Sequence, residues 1–486
     1  MSQSSLKQQT ISGMIWSAIG KFGTMGISFV SNIVLARLLM PSDYGAIAMI
    51  QIFIALSNLL ITGGFTSALI QKKDATHIDY TSVFYWNVVI SIILYVVLFF
   101  CSPAISRFYK LPDLNIILRV QSISIIISAF SAVQTSILSK ELKFKTLTNR
   151  NIIASICATA VSIVMAYCGL GVWSLVASNL IYSFASVILL WKMSPWRPTW
   201  EFSFTSLKEL FTFGGLLMLS SVFTKLFSEL QGLIIGRYYT AKDLGYYHQA
   251  RSLEQIPTES LTQIVTQVSF PVFSQLQSDH QRLMSALKKN ISSLTYANFG
   301  LVTLLIVVAT PLIRLLYGTQ WDQSIPYFQI LCISGMFLPL NNMNVSVIKA
   351  LGKSKVLFFS HISYKSIGII ALFVGGQFGV EGLLWAVVFS ALVMYFMTSA
   401  INHRLIGYGV YQQIKDVGGN LLVAIIAGFI AHLAGLILPL NQFVVMFIQV
   451  AIYLSIYIGI SLLVKLDGFF TYKDIVTDYI NIIKNR

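Results

Sequence analysis

Charge is scarce in this chain. Lys, Arg, Asp and Glu together make up 10% of its 486 residues, against about a quarter in soluble domains, and that shortage excludes an ordinary globular enzyme. Acids are rarer than bases, with 18 Asp and Glu against 33 Lys and Arg. The four cysteines, Cys101, Cys157, Cys168 and Cys332, stand singly in apolar segments. They lack the spacing of a metal site and read as small hydrophobes, so no metal or cofactor is expected. No nucleophile and base stand together, and the connections assigned to the outside are short. A membrane polymerase or ligase of surface sugars is therefore disfavoured, and no catalytic residue is expected. Residues 1–12 are polar, and the apolar run after them continues to Leu39 without a small-residue cleavage site, so no cleavable signal peptide is expected.

What the chain has instead is apolar length. Hydrophobic residues form 56% of it, and runs long enough to span a bilayer, about 20 residues each, recur from end to end. They predict an all-α polytopic membrane protein with about fourteen helices, at 13–39, 43–70, 81–102, 114–138, 147–168, 171–192, 208–236, 243–274, 290–311, 325–349, 356–375, 380–402, 417–438 and 442–464. An amphipathic tail at 468–484 is expected to lie on the membrane surface.

The basic residues are unevenly shared. Even-numbered connections and the termini hold Lys72, Lys140, Lys145, Arg197, Lys208, Lys289, Lys353 and Arg404 among others, while odd-numbered ones hold little beyond Arg107, Lys110, Lys242 and Arg314. The positive-inside bias then places both termini in the cytoplasm. It also accounts for most of the net charge of +15 without a nucleic-acid partner.

The chain repeats itself. Leu35-Ala36-Arg37 with Asp43 and Gly45 returns as Ile235-Gly236-Arg237 with Asp243 and Gly245, 200 residues on. Ser5-Leu6-Lys7 with Gly13 returns as Ser206-Leu207-Lys208 with Gly214. Pro103 and Tyr109 match Pro311 and Tyr317, and Gly171-Val172 matches Gly379-Val380, both 208 residues on. Six helices per repeat give both copies one orientation and predict two lobes related by an axis along the membrane normal. The expected divisions are residues 1–200, 201–410, helices 13 and 14 at 411–465, and a cytoplasmic tail at 466–486.

The run from Leu35 through Met40-Pro41-Ser42-Asp43-Tyr44 to Gly45 resembles the first-hairpin signature of bacterial polysaccharide flippases, members of the multidrug/oligosaccharidyl-lipid/polysaccharide exporter superfamily. Leu69-Ile70-Gln71-Lys72, Leu142-Lys143-Phe144-Lys145, Gly171-Val172-Trp173-Ser174-Leu175, Gly245-Tyr246-Tyr247 and Phe270-Pro271 extend the likeness over about residues 10–405, nearest to the colanic-acid and teichuronic-acid exporters. The resemblance implies two six-helix lobes around a central cavity and a cargo of sugars on polyprenyl pyrophosphate. Expected partners are that lipid-linked oligosaccharide, membrane lipids, and the polymerase and export machinery of a surface polysaccharide. The alternatives within the superfamily are a multidrug or small-cation antiporter and a peptidoglycan-precursor flippase. A scaffold without transport activity is a further rival.

An anionic headgroup crossing hydrocarbon needs cations in its path, and each central charge costs about 2.5–3.5 kcal/mol on insertion scales. Lys21 lies among Gly20, Gly23 and Gly26, which are expected to permit close helix packing. Lys21, Lys225, Arg251 and Lys365 are the substrate-binding candidates, against the plainer reading of ion pairs or snorkelling side chains. Lys225 and Glu229 share a helix face. Glu229, Glu254 and Glu259 are candidates for a coupling proton or sodium ion. Arg37 and Arg237, beside Asp43 and Asp243, are expected to cap hairpins or to gate.

Overall fold

The computed structural model describes residues 3–62 and 64–484. The regular elements of those residues are helices, without a strand. The chain forms two compact units, Met1–Gly245 and Tyr246–Arg486.

The first unit holds α1 (Gln3–Leu38), α2 (Pro41–Thr62), α3 (Phe65–Gln71), α4 (His77–Tyr109), α5 (Leu114–Gln121), α6 (Ile123–Lys140), α7 (Phe144–Tyr167), α8 (Val172–Met193), α9 (Phe204–Tyr238) and the first turn of α10 (Ala241–Gln275). Within this unit α9 packs on α2, α3 and α4. The second unit holds the rest of α10 with α11 (His280–Val307), α12 (Ala309–Tyr317), α13 (Ser324–Ala350), α14 (Ser354–Gly375), α15 (Gly379–Ile406), α16 (Val410–Ile437), α17 (Gln442–Leu463) and α18 (Asp467–Lys484).

Among the described residues, eleven helical stretches are long and apolar enough to cross a membrane, or twelve if the pair Phe204–Thr212 and Gly214–Tyr238, bent by 55°, is one span. The expected count of fourteen is therefore not confirmed, for two physical reasons. Ser354–Ile406 passes as one stretch of 53 residues, about 80 Å of helix at 1.5 Å per residue, yet it contains α14 and α15 packed along each other. Helix α10, with Lys242, Asp243, Arg251, Glu254 and Glu259, is not among the apolar stretches.

The repeat is visible as built hardware. At the start of α2, Asp43 Oδ2 accepts the Met40 N–H at 2.9 Å. At the start of α10, 200 residues on, Asp243 Oδ2 accepts from the Thr240 N–H at 3.1 Å and from its hydroxyl at 2.6 Å. The Asp243 N–H returns to Thr240 Oγ1 at 3.1 Å. Each carboxylate satisfies an amide that a helix start would leave unpaired. These two helix starts also touch. A Cβ on Gly45 would lie 1.7 Å from the Ala241 carbonyl oxygen, and one on Gly245 would lie 1.8 Å from that of Pro41. Only glycine lets backbones come so close. Gly171 and Gly379, paired in the other half of the repeat, adopt φ of 51° and 86° at the entries to α8 and α15.

In the first unit, the expected glycine packing joins α1 to α7. A Cβ on Gly13 would meet the Phe144 ring, and one on Gly20 or Gly23 would meet Thr148 or Ile152. The Thr148 hydroxyl donates to the Trp16 carbonyl at 2.7 Å. Gly26 has nothing within 4 Å of such a Cβ.

The second unit is organised on α11, which packs on α13, α15, α16, α17 and α18. The two helices beyond the sequence repeat, α16 and α17, are tied in by buried polar groups. The Tyr453 and Tyr457 hydroxyls donate to the Gly300 and Tyr296 carbonyls, both at 2.8 Å. Asn344 Oδ1 accepts from Gln413 Nε2 at 2.9 Å and Asn402 Nδ2 at 2.8 Å. The tail is helical as α18, and its first turn docks on α11, with the Phe469 and Tyr296 rings 5.7 Å apart.

Replacing Asn344 by Leu takes a side-chain partner from each of two fully buried carboxamides, Asn402 and Gln413, a cost of about 1–3 kcal/mol. Asn344→Leu is expected to lower the melting temperature of the purified protein by several degrees. Phe429→Leu, on an outward-facing side chain, is expected to leave it almost unchanged.

Candidate functional site

A polar recess in the first unit lies among α1, α2, α7 and α8. Thr24, Ser28, Ser31, Asn32 and Leu35 line it from α1, and Asn151, Ser155, Ala158 and Thr159 from α7. Leu175, Ser178, Asn179 and Tyr182 come from α8, and Tyr44 from α2. The spacings of three, four, seven and eight residues put each set on one helix face. The cavity measures about 380 Å³, at the small end of the roughly 300–1,000 Å³ typical of ligand pockets. Its first lining residues, Thr24 and Asn151, lie next in sequence to Gly23 and Ile152, the last of the glycine contacts between α1 and α7.

The lining has no charged side chain. It offers hydroxyls and carboxamides, with three aliphatic side chains and two tyrosines. Behind it stands a charge that sequence reasoning missed. Arg150 donates from Nε and Nη2 to Asn151 Oδ1 at 2.9 and 2.5 Å, and from Nη1 to Thr135 Oγ1 at 3.0 Å. The Tyr182 hydroxyl donates to the same Asn151 oxygen at 3.3 Å. A guanidinium can only donate, so it fixes which end of the Asn151 amide faces it. Arg119 is a second missed cation. It donates to Ser102 Oγ at 2.9 Å and stands 4.1 Å from the centre of the Phe99 ring. Both arginines could have been found as charges inside apolar helices, and the pocket as polar residues recurring at helical spacing in three helices.

The residues named from sequence lie elsewhere. Lys21 is exposed on α1, one turn before Thr24, whose hydroxyl contacts its carbonyl at 3.2 Å. Lys225 Nζ and Glu229 Oε1 are paired at 2.8 Å, both partly exposed. Arg251 donates to the Tyr247 hydroxyl at 3.0 Å. Glu254 is buried, and its Oε1 accepts the Thr258 hydroxyl at 2.8 Å. A Cβ on Gly335 would fall 2.2 Å from that oxygen, so the carboxylate lies flush against the backbone of α13. Glu259 is exposed and Lys365 half-buried on α14. Arg37 is exposed at the end of α1. Arg237 donates to the Phe108 carbonyl at 2.7 Å, in the last turn of α4, and stacks on the Phe108 ring. None of these residues lines the α1/α7/α8 pocket.

Over residues 34–326 the chain matches a family described as "Polysaccharide biosynthesis protein". It is 27% identical to the lipopolysaccharide biosynthesis protein WzxC of Escherichia coli (strain K12), over 81% of this chain and 81% of that protein. It is 25% identical to the succinoglycan biosynthesis transport protein ExoT of Rhizobium meliloti (strain 1021), over 78% of this chain and 77% of that one. Its fold is similar to that of the lipid II flippase MurJ in an inward closed conformation, with a TM-score of 0.76 and 15% identity, over 95% of this chain and 100% of that chain.

The Lys225–Glu229 pair is partly exposed, and pairs of that kind contribute at most about 1 kcal/mol. A double-mutant cycle of Lys225→Met and Glu229→Gln, read by reversible unfolding, is expected to give a coupling no larger than that.

Proposed function

The chain belongs to the polysaccharide biosynthesis protein family, and from that premise we propose that it is a flippase for a polyprenyl-pyrophosphate-linked oligosaccharide. It moves this cargo by alternating access for the assembly of a surface polysaccharide. The observation that carries the reading is family membership over more than half the chain, joined to a pocket in the first unit lined by hydroxyls and amides rather than carboxylates. The polyprenyl tail can stay in lipid while the headgroup crosses. What the protein must supply is a path of hydrogen-bonding groups and cations through hydrocarbon.

Within this reading, Lys21, Lys225, Arg251 and Lys365 attract the pyrophosphate. Lys225 does so as half of an ion pair that a phosphate can compete for. Among the three acids, Glu254 is best suited to carry a coupling proton, because it is buried and its carboxylate oxygen meets a neutral hydroxyl. Arg237 has a capping contact with α4, which favours a structural or gating part over substrate binding. The basic connections favour an inner-membrane location with both termini in the cytoplasm, and a polymerase and export machinery would receive the product. A multidrug antiporter would need acids in its cavity for a cationic cargo. A peptidoglycan-precursor flippase shares the fold but draws no support from the relatives named for surface polysaccharides.

Deleting the gene is expected to trap one lipid-linked oligosaccharide on the cytoplasmic leaflet, measured by mass spectrometry of polyprenyl-linked sugars. Lys21→Ala and Lys365→Ala are expected to restore export at less than about a tenth of the wild-type rate, and a scaffold would tolerate both. An unchanged lipid-linked pool in cells actively making the polysaccharide contradicts the proposal. Glu254→Gln should abolish the dependence of export on the proton gradient. Retention of that dependence removes Glu254 from the coupling step.

A further inference from the structure

We infer that the pocket among α1, α7 and α8 is a subsite for one neutral pyranose of the cargo headgroup, with Asn151 as its oriented donor and Arg150 as the residue that positions Asn151. This inference rests on the flippase reading for the identity of the cargo, and on the pocket itself for its chemistry.

Size and lining decide the class of ligand. A cavity of about 380 Å³ suits a single sugar ring rather than a chain of them. A metal ion or cationic drug calls for carboxylates, and a phosphate calls for cations. The lining supplies neither and presents neutral groups that both donate and accept. A pyranose has the complementary surface, with hydroxyls around its edge and C–H faces that pack on aromatic rings. Tyr182, 37% exposed, offers such a ring beside Asn151.

The Arg150 contact adds direction. Two guanidinium N–H groups and the Tyr182 hydroxyl all converge on Asn151 Oδ1. The acceptor end of that amide is therefore engaged by protein. Among the described residues its Nδ2 has no protein acceptor, which leaves two N–H donors on the lining residue for a ligand oxygen. Arg150 itself has no carboxylate partner among the described residues; its hydrogen bonds go to the neutral oxygens of Asn151 and Thr135. A half-buried cation bonded to the oxygen of a lining amide sharpens the donor character of that amide, since hydrogen bonds polarise one another where water is partly excluded.

The decisive variant is Asn151→Asp. It keeps an oxygen for Arg150 and adds a charge pair, so the fold is retained, while the Nδ2 donors vanish. Full-length protein in nanodiscs, free of maltoside detergent, would be probed by saturation-transfer NMR with methyl hexosides, methyl hexuronides and sodium chloride. Binding of at least one neutral methyl hexoside is expected, weakened about tenfold or more by Asn151→Asp and by Arg150→Met, with the melting temperature of Asn151→Asp unchanged or raised. Arg150→Lys, which can still donate to Oδ1, should recover part of the binding, a rescue that a merely structural role would not require. No glycoside binding, preference for a hexuronide, a response to sodium alone, or unaltered binding in Asn151→Asp each overturns the subsite. In cells, Asn151→Asp exporting native cargo at the wild-type rate overturns the subsite and leaves the flippase reading standing. A deletion strain without trapped lipid-linked sugar overturns the flippase reading, while the NMR result still reports on the pocket.

Discussion

Hydrocarbon offers no hydrogen bonds, and most features of this structure follow from that. Every backbone amide inside the bilayer must be satisfied within the chain, which leaves helices as the working element. Each polar side chain placed there must find a partner in protein, or serve a ligand that brings one. The two units answer this in different ways. In the second, carboxamides and tyrosine hydroxyls close on one another and on carbonyls, as Asn344, Asn402 and Gln413 do. In the first, hydroxyls and amides converge on a cavity instead. The same residue types act as mortar in one unit and as lining in the other.

The close approach of α1 and α7 connects packing to function. Gly13, Gly20 and Gly23 bring the two helices together along Phe144, Thr148 and Ile152, and the cavity lining starts beside the last of those contacts, at Thr24 and Asn151. Arg150, one turn and a half into α7, belongs to the same device. It reaches across to Thr135 of α6 while holding Asn151 at the cavity wall.

The fold was largely legible in the sequence because hydropathy, repeat spacing and capping chemistry act locally. Asp43 and Asp243 were readable as hairpin residues from their place in the repeat, and each caps the start of the helix it belongs to, α2 or α10. The glycine stripe was readable as a packing face. The number of spans is where reading and structure part: the helix expected at 243–274 is α10, too charged to count as an apolar stretch, and those expected at 356–375 and 380–402 are α14 and α15, which pass as one stretch. The Lys225–Glu229 contact followed from four-residue spacing, whereas the neutral pocket did not, because α1 and α2 meet α7 and α8 across more than 100 residues of sequence and no charged side chain lines it. An anion path is marked by cations, whereas a neutral pocket carries no such mark.

The central claim is that this chain moves a sugar headgroup across a bilayer. Its most direct test is purified protein reconstituted into vesicles containing a fluorescent polyprenyl-pyrophosphoryl oligosaccharide isolated from the host, with outer-leaflet label destroyed by a membrane-impermeant quencher. The account predicts that the protected fraction falls well below half, because inner-leaflet lipid is carried outward into reach of the quencher. A protected fraction that stays near half, as in protein-free vesicles, with folded protein present in both orientations and an ion gradient imposed, would contradict it.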